Sequence, residues 1–157
     1  MVMPMTRTTL QQVMADTAVD TTLTMVATMV GLTKDMVTKI VEAGLPMMAN
    51  VADADPWVFK AMYVQSVKGL PQPTQTFYPS LGKNAKARQV MAADFMITYG
   101  VMTETLNRDV ASQASASEEQ ANLVLAATMP TVVNALGKAN TCVNEMGFGR
   151  QLRNLNA

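Results

Sequence analysis

The chain of 157 residues contains no histidine and a single cysteine, Cys142. Histidine is the commonest general base near neutral pH and the commonest transition-metal ligand, so a hydrolytic triad of the usual kind is excluded. With one thiol alongside, a zinc or iron–sulfur site has too few ordinary ligands, and no metal or cofactor is expected. Cys142 has no partner for an internal disulfide and no thiolate-activating neighbour in sequence, so it reads as a small buried apolar residue. Charge is also scarce. Asp, Glu, Lys and Arg make up 15% of the chain, and the 12 basic and 12 acidic residues cancel. A nucleic-acid binder normally carries a clear positive excess, so nucleic acid is not an expected partner. The weakly charged stretches are interrupted by Thr, Asn and Pro, which argues against a membrane-spanning helix. The opening MVMPMTRTTLQQ lacks an apolar segment of signal-peptide length, and a cytoplasmic location is expected.

What the chain has is hydrophobicity without charge: 49% apolar residues, including 15 methionines. That composition is ample for a core in one domain spanning residues 1–157. Little polar surface remains for a free monomer, which points to a protein partner, to self-association or to peripheral contact with membrane lipid. Methionine is flexible and polarisable; it fills irregular core gaps and is also over-used on adaptable binding surfaces. Some of Met1, Met3, Met5, Met47 and Met48 are expected to line an interface, with both chain ends ordered by packing.

Residues 115–140, SASEEQANLVLAATMPTVVNALGKAN, organise the rest. Ser117 and Gln120 fit a capping box, in which each side chain satisfies the other residue's backbone N–H. Glu118 and Glu119 fall in the first turn, where carboxylates complement the helix dipole. Apolar residues from Leu123 to Leu136 then cover most of the circumference, the pattern of a buried central helix. Pro130 removes a backbone donor and predicts a kink or break over residues 126–130. A shift of 84 positions lays residues 26–55 over 110–139 without a gap. Val26/Val110, Ala27/Ala111, Ala43/Ala127, Pro46/Pro130 and Asn50/Asn134 are identical, and Thr33 answers Ser117 as the helix start. This predicts an internal duplication.

Ser117, Gln120, Ala121, Met129, Pro130, Ala135, Leu136, Gly137 and Lys138 form a further pattern: S-x-x-Q-A, an apolar run, a proline after a large apolar residue, then ALGK. In this the chain resembles the YidB-like family, small bacterial helical domains of unknown function. Gly31, Leu32, Thr33, Leu45 and Pro46 repeat the pattern more weakly. The chain departs from the family in lacking glycine-rich tracts and in carrying Asn50 and Asn134 where a small residue is more usual. The resemblance implies an all-helical fold and supplies no catalytic residue.

In order along the chain, Thr8 or Thr9 caps a helix running to about Ala15. A second follows from Asp20 or Thr21 to Val30, with residues 16–20 either a bend or a continuation. Thr33 caps a helix from Lys34 to about Ala52, kinked near Pro46. Asp55-Pro56 is a start signal, an acid at the N-cap before proline at the first helical position. Residues 69–83 hold three prolines and two glycines and form an irregular connection; its Phe77 and Tyr78 either anchor it to the core or dock a partner. Helices are expected over 84–99, 101–112 and 139–146. Gly147-Phe148-Gly149 then turns the tail toward a basic end with Arg150 and Arg153.

The carboxylate pairs Asp53/Asp55 and Glu118/Glu119 sit where helix caps want them. Lys83, Lys86 and Arg88 could meet an anion but read more simply as a solvated helix start. The expectation is therefore an all-α fold of about seven or eight helices in two related units (about 8–68 and 84–146, with a tail over 147–157) around two proline-kinked buried helices. Functionally it points to a non-catalytic structural or interaction subunit of a homo-oligomer or larger assembly. Its interface candidates are Met1, Met3, Met5, Phe77, Tyr78, Phe148, Arg150 and Arg153. The alternatives are a small-ligand or lipid-binding module with an apolar cavity between the units and, more weakly, an enzyme relying on acids and lysines.

Overall fold

The computed structural model describes residues 9–68, 103–138 and 145–155, and these are helical throughout apart from short connections. Seven helices lie among the described residues: α1 (Thr9–Met14), α2 (Thr17–Val30), α3 (Lys34–Ala54), α4 (Pro56–Lys68), α5 (Thr103–Ala114), α6 (Glu118–Lys138) and α7 (Glu145–Asn154). The segments 1–8, 69–102, 139–144 and 156–157 lie outside the described residues. With them lie Met1, Met3, Met5, Phe77, Tyr78, Cys142 and the Lys83, Lys86 and Arg88 cluster.

Local side-chain chemistry sets most helix starts. The Asp16 carboxylate accepts from the backbone N–H groups of Ala18 (2.9 Å) and Val19 (3.3 Å), so α2 starts at Thr17 rather than at Asp20 or Thr21. Residues 15–16 are thereby a true break between helices. Thr33 Oγ1 accepts from the Met36 N–H at 3.1 Å and starts α3. The Asp55 carboxylate accepts from the Trp57 N–H at 2.9 Å, with Pro56 as the first residue of α4. At α6 the reciprocal pair is present: the Gln120 N–H donates to Ser117 Oγ and the Ser117 N–H to Gln120 Oε1, both at 3.0 Å.

The junction before each long helix has the same geometry at the same spacing. Gly31 (φ 71°) and Ser115 (φ 56°) both adopt the left-handed conformation. The Leu32 N–H donates to the Ala27 carbonyl (3.0 Å), and the Ala116 N–H to the Ala111 carbonyl (2.9 Å). These bonds close the ends of α2 and α5 with one hydrogen-bond pattern, that of a Schellman turn. The helices that follow, α3 and α6, are both 21 residues long.

These two helices form the centre. On α6, Val124, Leu125, Ala127, Met129, Val132, Val133 and Leu136 are all buried, so the helix is enclosed on nearly every side. α3 buries Val37, Ile40, Val41, Gly44, Leu45, Met48, Ala49 and Ala52 and exposes a polar edge. α2, α4 and α5 pack on α6, while α2, α4, α5 and α7 pack on α3. α1 lies against α2, α6 and α7. The two central helices touch at Gly44, where a Cβ would stand 2.5 Å from Leu125 Cδ2.

Pro46 and Pro130 both sit inside continuous helices, so neither proline breaks its helix. Proline at position 46 leaves the Glu42 carbonyl without its usual donor. Glu42 is exposed, so water can serve that carbonyl while packing on both sides keeps α3 in one piece. The expected end of the chain is also corrected. Gly147-Phe148-Gly149 is not a turn but lies within α7, and all three residues are buried.

Candidate interaction surface

α4 carries a stripe of Val58, Phe59, Met62 and Tyr63, of which Val58 and Met62 are fully buried and the two aromatics half-buried. Phe148 of α7 inserts against the aromatic pair. Its ring centroid lies 5.7 Å from that of Phe59, tilted by 58°, and 5.7 Å from that of Tyr63, edge-on at 61°. A Cβ at Gly149 would stand 3.5 Å from Phe59 Cε2, an ordinary van der Waals contact, so the approach does not itself require glycine. Phe148 is thus corrected from an interface candidate to a core residue: it is fully buried and fills the space between α7 and α4.

Outside this aromatic cluster the two helices are joined by an ion pair. Lys60 Nζ donates to Glu145 Oε1 at 2.8 Å, with both side chains largely in water. The hydrogen bond that Lys60 donates to Glu145, reinforced by the carboxylate's charge, holds the Lys60 ammonium above the usual lysine value, against the opposing effect of desolvation. The same ammonium lies 5.8 Å from the Tyr63 ring centroid, within cation–π range.

Beside this ion pair, two large hydrophobic side chains stand in solvent: Trp57 is 71% exposed and Met146 is 77% exposed. Trp57 precedes Lys60 by one turn on α4, opposite the buried stripe. Met146 follows Glu145 directly and shares the outer face of α7 with Arg150 and Arg153, at the i, i+4 and i, i+3 spacings that make side chains neighbours. Both arginines are exposed. Trp57 and Lys60 thus lie one turn apart on the outer side of α4, and Met146, Arg150 and Arg153 share the outer face of α7, the two helices being tied by the Lys60–Glu145 pair.

Sequence reasoning picked out Arg150 and Arg153 on this face and passed over Trp57, Met146 and Lys60. A signal for Trp57 was present. Val58, Phe59, Met62 and Tyr63 define the inward side of α4 at helical spacing, and Trp57 falls outside it.

The described residues bring together no constellation of acids and bases. The Asp55 carboxylate is engaged in capping α4, and Glu118 and Glu119 lie exposed in the first turn of α6. Among the described residues no group of three or more His, Cys, Asp or Glu is placed to hold a metal ion. Likewise, no helix among them is long and apolar enough to cross a membrane. No family model matches the chain, and neither a curated protein nor a solved structure matches it.

Proposed function

We propose that the chain is a non-catalytic structural or interaction subunit of a homo-oligomer or larger protein assembly, docking through the outer face of α4 and α7. The supporting observation is Trp57: an exposed tryptophan one turn from Lys60 on α4, with Met146, Arg150 and Arg153 exposed on α7, the helix that Lys60 pairs with. Tryptophan and arginine are the residue types that most often dominate binding energy at protein interfaces. The partner surface that fits offers an apolar recess with an acidic rim. We keep the YidB-like resemblance within this proposal, since it implies a helical fold and no activity. The competing reading, a lipid held between the two units, has less support, because Leu125 fills the space beside Gly44 where the central helices meet.

The test is the native mass by light scattering of the wild-type chain and of the Trp57→Ser/Met146→Ser variant. An assembly that falls to the 16.9 kDa monomer in the variant supports the reading. A wild-type monomer at every concentration sinks its homo-oligomer form. A lipid retained in native mass spectrometry would reverse the order of the two readings.

A further inference from the structure

We infer that the chain is a fused dimer: two helical units built on one repeated helix pair, α2–α3 and α5–α6, that complete each other by helix exchange. The same surfaces fit a second copy of this chain. This inference rests on the fold and not on the Trp57 face.

One unit is α2, α3 and α4; the other is α5, α6 and α7. The 84-residue shift that aligns Pro46 with Pro130 also carries α3 onto α6 from first residue to last. It carries left-handed Gly31 onto left-handed Ser115, and the Leu32–Ala27 backbone bond onto the Ala116–Ala111 bond. The Thr33 cap on Met36 falls on the Ser117 cap on Gln120. Buried positions coincide as well: Ile40 with Val124, Leu45 with Met129 and Ala52 with Leu136. A left-handed serine is uncommon, so its recurrence at the glycine position is not a general habit of helical chains.

The packing is reciprocal. Each outer helix packs more extensively on the central helix of the opposite unit than on that of its own. α2 and α4 lie mainly on α6, while α5 and α7 lie mainly on α3. The Thr22 hydroxyl of α2 donates to the Thr131 hydroxyl of α6 at 3.2 Å, a buried bond between units. A unit by itself would therefore leave its central helix bare on the sides the other unit covers.

Nothing in these contacts depends on the two units belonging to one chain. A second copy offers the same surfaces, so exchange preserves every contact between units and alters the connection alone. The chain between Lys68 and Thr103 reaches on the order of 100 Å when extended. Joining the two units in one chain gives each an effective concentration of about millimolar for the other. The closed monomer therefore dominates at micromolar concentration, and exchanged dimers form when the chain refolds near millimolar concentration.

The experiment places Thr22→Cys and Thr131→Cys in a Cys142→Ser background. The full chain is unfolded, refolded at micromolar and at near-millimolar concentration, and oxidised. The expected result is an internally bridged monomer at the low concentration and a reductant-sensitive dimer at the high one. Monomer alone at both overturns the inference, as does a dimer formed equally by Thr22→Cys without its partner. If the cysteine variant loses its helical circular dichroism, isotopically light and heavy wild-type chains are refolded together at the high concentration. Mixed dimers with wild-type helicity that persist when both chains carry Trp57→Ser/Met146→Ser support exchange, and their absence overturns it.

Discussion

The contact between the central helices makes a prediction whose sign depends on the background. A methyl group added at Gly44 would stand 2.5 Å from Leu125 Cδ2, 3.2 Å from Cδ1 and 3.4 Å from Cγ. Leu125 is fully buried, so its end can move aside only by displacing packed neighbours. Overpacking of this kind costs about 1–3 kcal/mol. Against it, alanine in a helix interior is better than glycine by roughly 0.8–1.0 kcal/mol. Gly44→Ala is therefore expected to destabilise the wild-type chain, by up to about 2 kcal/mol. Leu125→Ala alone leaves a cavity and costs about 2–5 kcal/mol. Adding Gly44→Ala to that variant meets no clash, so the helix preference acts alone and stability rises by about 1 kcal/mol. The four proteins are compared by urea unfolding followed by far-ultraviolet circular dichroism, with a common m-value as the check on two-state behaviour. Equal effects of Gly44→Ala in both backgrounds would show that α3 and α6 are not in this contact.

The two helix junctions give a reciprocal pair. Ser115→Gly is expected to stabilise the chain by about 1 kcal/mol, since a side chain in the left-handed region costs about 1–2 kcal/mol. Gly31→Ser should lose a similar amount, because nothing lies within 4 Å of a Cβ at Gly31 and the backbone term stands alone; melting temperatures shifting by about 2–4 °C per kcal/mol in opposite directions check both. Asn107 donates to Asn122 Oδ1 at 3.0 Å, while its own Oδ1 is buried without a partner. Asn107→Leu, which copies Leu23 at the corresponding position, should raise stability by about 1 kcal/mol in the same denaturation assay, and a loss would show that the orphaned oxygen is not a liability. The Lys60 ammonium titrates above the usual lysine value because of Glu145, so nuclear magnetic resonance should show its titration midpoint falling in Glu145→Gln. Any stability this pair contributes is complete below the ordinary lysine pKa and is lost as pH rises through the raised folded value; a midpoint unmoved by the substitution refutes the assignment.

The parts of this fold legible in the sequence are those decided within four residues. Thr33, Asp55-Pro56 and the Ser117/Gln120 pair each place an oxygen where the first turn of a helix has unpaired N–H groups, and that chemistry does not depend on the rest of the chain. The all-round apolar character of α6 likewise required a central position. The helix through Gly147-Phe148-Gly149 was not legible in this way. Two glycines in sequence oppose a helix by roughly 1 kcal/mol each, and what overrides them is the seating of Phe148 against Phe59 and Tyr63, side chains 85 to 89 positions earlier in the chain. The break at Asp16 is an intermediate case: its capping potential is local, but an aspartate at that position reads equally as a surface residue of one longer helix. Of the interface candidates, Arg150 and Arg153 are exposed on α7, whereas Phe148 belongs to the core.

Low charge alone does not demand a large contact surface. When both central helices are covered from both units, much of the apolar content is already committed to one shared core. What that core leaves in solvent among the described residues is concentrated at Trp57 and Met146. An interface built on two such anchors is small in area, and its affinity then depends on how completely the partner encloses the indole. Lys60, Arg150 and Arg153 would chiefly steer encounter and exclude basic partners, since exposed charges of this kind contribute little to affinity once screened by salt. Binding through this face should therefore be lost when Trp57 is truncated, and should slow but persist when Arg150 and Arg153 are neutralised. The opposite ranking would identify a charge-driven contact and a different kind of partner.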